Sequence, residues 1–339
     1  MTKKRALITG ITGMVGSHLA DLLLKNTDWE IYGMCRLRSP LDNVSHLIDR
    51  INKKDRIHLL YGDLHDYISL HDVVRRSKPD YIFHLAAQSY AQTSFESPLE
   101  TLDTNIQGTT RLLEVVRKMP EIKPIIHICS SSEIFGKTAN EQPLINEEFA
   151  FRPSSPYAIS KAGTDLIGRY YASTHKMNVM VTRLFTHTGP RRGDIFAEST
   201  FAKQIAMIEK GLISPTVKVG NLEAIRSFAD VRDAVCAFHM LVTINPIAGE
   251  YYNIGGAFRC SIGDMLKYLI SISPMKDRIK IEVDPIRLRL TETDLRVPDI
   301  SKFSKHTGWT PKIAFEQTMQ DLLNYWRDRI AKGEKFLTR

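Results

Sequence analysis

A short apolar run, Arg5-Ala6-Leu7-Ile8-Thr9, passes directly into Gly10-Ile11-Thr12-Gly13-Met14-Val15-Gly16 and then into a segment with apolar residues at Val15, Leu19, Leu22 and Leu23. Glycines at that spacing suit a strand that turns sharply into an amphipathic helix, since a residue without Cβ adopts the turn and lets the backbone approach a ligand. The amide groups at the start of such a helix are a natural site for a pyrophosphate. A glycine-rich turn with no ligand would read the same way, so neighbouring segments must decide.

The same rhythm continues. Arg5–Thr9, Glu30–Cys35, Ile57–Tyr61, Tyr81–Leu85, Ile125–Cys129 and Val179–Leu184 are predicted as buried strands. Helical spacing lies between them at Leu70, Val73 and Val74 and at Leu112, Leu113 and Val116. Strand and helix in alternation imply a Rossmann-type, doubly wound α/β fold with a parallel sheet covered on both faces. After Leu184 the pattern changes. A Gly-, Pro- and Arg-rich loop (Thr188–Asp194) leads to predicted helices near Phe201–Lys210, Asp230–Val242 and Phe315–Ile330, with strands at Thr216–Val219 and Tyr251–Ile254. The expected division is a nucleotide-binding domain over 1–184, joined by segments near 223–254, and a smaller substrate-binding lobe made mainly of 185–339.

Composition narrows the function. Lys and Arg exceed Asp and Glu by 46 to 38, a net charge of +8, yet no basic block of five to eight residues occurs. Nucleic acid is therefore not the expected partner. The dispersed Cys35, Cys129, Cys236 and Cys260 form no CxxC pair, which suits a reducing cytoplasm. Lys3-Lys4-Arg5 before an apolar run imitates a signal peptide, but Gly10, Gly13 and Gly16 interrupt it. No run of about 18 apolar residues is present, so no membrane span is expected, and no histidine spacing suggests a metal site.

About twenty residues past the glycines, an NAD enzyme places a carboxylate on the adenosine ribose. Here the second strand ends in Arg36, with Arg38 close by and no acid between. A guanidinium pairs with a 2′-phosphate that a carboxylate would repel, so NADP is the expected cofactor. The glycine turn supplies Gly10, Thr12, Gly13, Met14, Val15 and Gly16 to it; Asp63 and Leu64 follow one strand, with Asp63 suited to an adenine amine. Leu85, Ala87 and Ser89 follow another, where small residues let a nucleotide lie close.

Tyr157 and Lys161 stand four apart, on one face of a helix. An ammonium beside a phenol lowers its pKa from about 10, so the phenolate can take a hydroxyl proton near neutrality. Ser130-Ser131-Ser132 ends the strand before it, at the edge where α/β sheets bind ligands.

These motifs together resemble the extended short-chain dehydrogenase/reductase family, and within it the GDP-mannose 4,6-dehydratase group. The residues that carry the likeness are Tyr61-Gly62-Asp63-Leu64, Ala87-Gln88-Ser89, Ser131-Ser132-Glu133-Ile134-Phe135-Gly136, Ser155-Pro156-Tyr157, Pro190-Arg191-Arg192-Gly193, Gly220-Asn221-Leu222 and Arg289-Leu290-Thr291-Glu292-Thr293-Asp294. The resemblance implies a redox-neutral dehydration to a 4-keto-6-deoxy sugar. Tyr157, with Lys161 and Ser131, would deprotonate the carbon 4 hydroxyl while NADP takes the hydride and later returns it to carbon 6. Glu133 would remove the carbon 5 proton and help the carbon 6 hydroxyl leave. His187 and Arg192 would contact the cofactor together with Tyr157 and Lys161. Ser89, Ser131, Glu133, Arg226, Arg289 and Glu292 would hold the GDP-sugar. The group also implies a homodimer or homotetramer, with Leu37–Asn43 resembling an arm that shares cofactor sites between subunits.

The chain departs from the dehydratase pattern in three respects. The first turn has Gly13-Met14-Val15-Gly16 where the group has G-Q-D-G, and Thr186 replaces the asparagine of F-N-H-E-S-P. Phe201–Ala206 and Val219–Ala224 resemble the companion GDP-4-keto-6-deoxy-sugar reductases, which leaves a reductase or an epimerase as alternatives. A shorter Thr186 leaves room for a larger sugar, such as GDP-D-glycero-D-manno-heptose in place of GDP-mannose.

Overall fold

The computed structural model describes residues 3–136, 144–287, 297–334 and 336. In chain order its strands are β1 (Arg5–Thr9), β2 (Glu30–Cys35), β3 (Ile57–Tyr61), β4 (Tyr81–His84), β5 (Ile125–Ser131), β6 (Val179–Leu184), β7 (His187–Thr188), β8 (Thr216–Val219), β9 (Ile225–Asp230), β10 (Tyr251–Ile254), β11 (Phe258–Ser261) and β12 (Lys280–Val283). Among the described residues, seven of them form one sheet in the order β10-β6-β5-β4-β1-β2-β3. Every pairing in it is parallel. The strands build outward from β1 in one direction and from β4 in the other. A crevice therefore opens between the carboxyl ends of β1 and β4, where such sheets bind ligands.

Alternation along each strand sends neighbours to opposite faces. Ala6 and Ile8 join one core with the helices Met14–Asn26 and Val231–Thr243, while Leu7 joins another with the helices Tyr67–Ser77 and Gly108–Arg117. Burial on both faces explains why the strands read as continuous apolar runs rather than alternating ones. Leu7 and Ile8 are fully enclosed, and each such side chain contributes about 1.5–3 kcal/mol.

A third core lies in the C-terminal half, where the helices Ala197–Glu209, Ile262–Ser271 and Phe315–Ala331 enclose Phe201, Leu266, Met319 and Trp326. Segments from this half return to the sheet, but not all of 223–254 does so. The helix Val231–Thr243 and β10 pack on or join the large sheet, whereas β9 pairs with β11 and β7 in a separate small sheet. Two strand limits also differ from the sequence reading. β4 stops at His84, because the amides of Leu85 and Ala86 turn to the Thr9 hydroxyl, and β5 continues to Ser131, paired with Leu184. The helix read as Phe201–Lys210 starts at Ala197.

Candidate active site

A cleft of about 1360 Å³ runs along the carboxyl ends of the strands, between the sheet and the C-terminal half. Its first wall is backbone. Gly10 has a positive φ of 72°, and a Cβ there would lie 2.9 Å from the Ala86 backbone. A Cβ on Gly16 would lie 2.4 Å from the Gly10 carbonyl oxygen, so the helix can start this close to the turn only with glycine. Gly13 is the N-cap, without a side-chain cap, and its amide closes the turn onto Gly10. A dinucleotide pyrophosphate fits this cradle, because the helix start is open, with no side-chain cap on its amides, and the missing Cβ atoms let the turn pack this tightly against the Ala86 backbone.

Polar residues inside the apolar strands hold the cradle, and the sequence reading missed them. The Thr9 hydroxyl accepts from the amides of Leu85 and Ala86 at 3.1 Å each and hydrogen-bonds His84 Nδ1 at 2.9 Å. His84 Nε2 meets Thr109 at 2.9 Å. Burial, with the nearby Lys161 charge, pulls the His84 pKa down to about 3, so the ring is neutral and ties two loop ends together. Thr9 and His84 are paired across β1 and β4, 75 positions apart, so the sequence held no local signal for them. Asn43 was missed too; its Nδ2 donates to the Thr12 carbonyl at 3.0 Å and closes the turn from the Leu37–Asn43 side.

Arg36 is exposed at the rim of the cleft, where Asp63 and Leu64 also lie. Burial would raise the Asp63 carboxyl, but hydrogen bonds from the His65 backbone and ring, with the charges of His65 and Arg36, hold it below the ordinary value. Arg38 does not line the cleft.

The reactive centre sits where the helix Pro156–His175 crosses the end of β5. Ser155 caps that helix by accepting from the Ala158 amide, and Pro156 occupies its first turn, so the start is fixed. Tyr157 and Lys161 face the cleft one turn apart. The Lys161 ammonium is buried and donates to the Cys129 carbonyl at 2.8 Å, while the Ser130 hydroxyl donates to the Lys161 carbonyl. This differs from the expectation that Lys161 lowers the Tyr157 pKa. Burial dominates and pushes the phenol up, Cys129 and Glu133 add to the rise, and the Ser131 hydrogen bond and the Arg192 charge oppose it. Burial also lowers Lys161 itself.

Glu133 stands on a single 3-10 turn, Ser132–Phe135, and its amide donates to Ser131 Oγ. Its carboxylate is near enough to Tyr157 to repel the phenolate, which places an acid/base and a phenol at one point of the cleft. The turn ends at Gly136, with φ 59°, where the chain lies directly under the Arg152 carbonyl.

The opposite wall comes from the C-terminal half. His187 Nδ1 meets the Phe185 carbonyl at 3.1 Å, and burial with the Arg192 charge lowers it to about 3. Arg192 donates to Glu198 at 3.1 Å and lies 3.5 Å over the Phe196 ring. Arg226 and Ser89 line the cleft as well. Arg289 and Glu292 lie outside the described residues. Tyr90 and Phe196 meet edge to face at 5.6 Å from opposite walls, and Arg287 pairs with Asp284 at 3.4 Å along the lining; no motif had singled these out.

Among the described residues, no helix is long and apolar enough to cross a membrane. The model of the GDP-mannose 4,6 dehydratase family matches residues 7–322. The GDP-mannose 4,6-dehydratase of Yersinia enterocolitica is 32% identical over 94% of this chain and 93% of its own length. The GDP-6-deoxy-D-mannose reductase of Pseudomonas aeruginosa is 29% identical over 96% and 98%. The solved structure of RMD from Pseudomonas aeruginosa complexed with NADPH superposes with a TM-score of 0.79 at 27% identity, covering 96% of this chain and all of that one.

Proposed function

The chain belongs to the GDP-mannose 4,6-dehydratase family, and from that membership we propose that it is an NADP-dependent lyase converting a GDP-sugar to its 4-keto-6-deoxy product and water. The observation that carries this reading is the family match over residues 7–322; Glu133 and Tyr157, which line one cleft whose other end is a glycine cradle, are the groups that fit it. A simple oxidoreductase needs the tyrosine; removing a carbon 5 proton and expelling a hydroxyl needs a second proton carrier.

NADP, when bound, supplies a hydride acceptor at carbon 4 and a donor at carbon 6. The amides of Thr12 to Val15 would face its pyrophosphate, Arg36 its 2′-phosphate and Asp63 its adenine, with Leu64, Leu85 and Ala87 packing alongside. Tyr157 takes the proton of the carbon 4 hydroxyl, and Ser131 shares that hydroxyl. Because burial holds the phenol high, the Ser131 hydrogen bond and the Arg192 charge offset part of the cost of the phenolate. Once carbon 4 is a ketone the carbon 5 hydrogen is acidic. Glu133 removes that proton and passes it to the carbon 6 hydroxyl, which departs as water and leaves a carbon 5–carbon 6 double bond. With the hydride returned to carbon 6, the proton held by Tyr157 goes to carbon 5 and completes the 4-keto-6-deoxy product. His187 stays neutral; its single N–H, at Nδ1, goes to the Phe185 carbonyl, so Nε2 offers an acceptor without adding charge. Arg226, Ser89, Arg289 and Glu292 are assigned to the GDP-sugar, the arginines to its diphosphate.

GDP-mannose and GDP-D-glycero-D-manno-heptose are the candidate substrates; Thr186 in the cleft lining, in place of an asparagine, favours the larger one. The likeness to the Pseudomonas reductase keeps a 4-keto-sugar reductase as the second reading. The test is incubation with each GDP-sugar, without added NADPH, and mass spectrometry of the products. Loss of one water without net cofactor consumption is the expected result. Unchanged sugars, with NADPH oxidised when a 4-keto sugar is supplied, would move the chain to the reductases.

We further propose 1–184 as the nucleotide-binding unit, 185–339 as mainly the sugar-binding lobe, and a cytoplasmic setting, which the four dispersed thiols suit. A homodimer or homotetramer is supported by an apolar stripe on the catalytic helix, where Ile159, Leu166 and Tyr170 are about half exposed, and by Leu99 on the helix Pro98–Leu102, which is 80% exposed.

A further inference from the structure

Behind the reactive centre lies a buried charge that no step of the reaction uses. Arg183, on β6, is 1% exposed, and Asp165 is 0% exposed. Arg183 Nε donates to Asp165 Oδ2 at 2.8 Å and Nη2 to Oδ1 at 3.3 Å. Asp165 belongs to the helix that carries Tyr157 and Lys161, one turn past the lysine. The remaining guanidinium nitrogen, Nη1, donates to the Glu147 carbonyl. The flat faces of the group meet aromatic rings, with centroids at 4.4 Å for Tyr251, 4.8 Å for Phe151 and 5.6 Å for Phe135. Phe135 is fully buried and is the last residue of the 3-10 turn that holds Glu133; it packs on Phe149 and Phe151 in turn. One guanidinium therefore touches both the helix of the tyrosine and the turn of the glutamate.

We propose that the Arg183–Asp165 pair, clasped by Phe135 and Phe151, is a positioning device that sets Glu133 relative to Tyr157, so that proton removal at carbon 5 follows oxidation at carbon 4 without rearrangement. The inference rests on the dehydratase reading. A buried ion pair is a weak source of stability, because apolar residues of equal volume often serve as well. What a bidentate fork stacked between rings does supply is direction, which a lysine ammonium would not reproduce. The glutamate turn is four residues long, and the Arg152 amide ties it to the neighbouring chain through the Ile134 carbonyl. Displacement of an acid/base by about 1 Å costs on the order of a hundredfold in rate.

The test uses the full chain loaded with NADP and given GDP-sugar in D2O. Single-turnover absorbance reads carbon 4 oxidation, and mass spectrometry reads deuterium at carbon 5 and loss of water. The variants are Asp165→Asn, which keeps shape but removes the charge, and Phe151→Leu, which spares the ion pair and changes a half-buried ring. Unfolding midpoints without cofactor separate folding from positioning. Both variants are expected to keep carbon 4 oxidation within about threefold, leave KM unchanged, and lose roughly tenfold to a hundredfold in deuterium uptake and dehydration. Arg183→Lys is expected not to rescue. Equal loss in both steps, loss only in proportion to the unfolded fraction, or no loss in Phe151→Leu would overturn the clasp. Glu133→Gln run alongside separates the two failures. If it blocks deuterium uptake while the clasp variants do not, the clasp alone falls; if it exchanges like the unaltered chain, the dehydratase role of Glu133 falls and the clasp with it.

Discussion

The two walls of the cleft expose positively polarised groups by opposite means. The glycine-turn wall uses main-chain amides, held by what is missing: no Cβ at Gly10 or Gly16 and no side chain capping the helix at Gly13. The lobe wall uses guanidinium groups, each held by what is present: Glu198 and the Phe196 ring on Arg192, Asp284 on Arg287. Backbone recognition is written into a few consecutive residues. Side-chain recognition requires distant segments to bring the holding group, so it depends on the tertiary fold.

The sharpest way to break that contrast is at the point where the walls meet. Tyr157→Phe removes the group both readings of the chemistry need, and turnover is expected to fall on the order of 10²- to 10⁴-fold with cofactor binding retained; a steady-state assay with a parallel cofactor titration reads both. Acid is the next largest lever, and it reaches both walls. His84, His127 and His187 are buried, and burial lowers all three from 6.5 to about 3. Below pH 6.5 the unfolded chain therefore binds more protons than the folded one. Stability is expected to fall as pH drops from 6.5 to about 3, by at most about 1.4 kcal/mol per pH unit for each ring, and then to level off. Urea titrations across that range would show it, and His84→Gln should flatten the slope.

Gly16→Ala tests the cradle by filling it. The new methyl must move the Gly10 carbonyl, so a stability loss of about 1–3 kcal/mol is expected, with weaker binding of NADP and NAD alike. Arg36→Ala, by contrast, is expected to raise the NADP dissociation constant roughly tenfold and to leave NAD nearly unchanged. Calorimetric titration with both cofactors distinguishes the two; equal effects at Arg36 would remove the 2′-phosphate assignment. The smallest effect belongs to Asp42→Asn. Arg329 reaches Asp42 at 3.2 Å from the last helix, but Asp42 is 63% exposed, so less than about 1 kcal/mol is expected in thermal unfolding.

The same contrast explains what could be read from the chain beforehand. The limits of β1, β2, β3 and β6 follow from apolar runs bounded by turn residues, and the glycine turn, Tyr157, Lys161 and Glu133 come from short contiguous motifs that all line the cleft. The Thr9–His84–Thr109 chain joins residues up to a hundred positions apart, so no local pattern reveals it. Nor does spacing tell where the Lys161 ammonium points; the carbonyl of Cys129, on another element, captures it. β9 is not among the strands expected from the sequence and falls inside the 223–254 segment expected to return to the first domain. Its partners, β7 before it and β11 beyond β10, are distant in the chain.

The late arrival of β10 carries a consequence for how the protein is made. β6 ends at Leu184, yet its outer edge is covered only when Tyr251–Ile254 pairs with it. A ribosome adding about 5–20 residues per second needs several seconds to cross that interval. Throughout it, a nascent chain that has already assembled six parallel strands presents a bare, wholly buried-type strand to its surroundings, the kind of edge that recruits a neighbouring chain. Newly synthesised protein should therefore be most vulnerable to aggregation in a window set by translation rather than by stability, and synonymous changes that hasten residues 185–254 should raise soluble yield without altering a single contact.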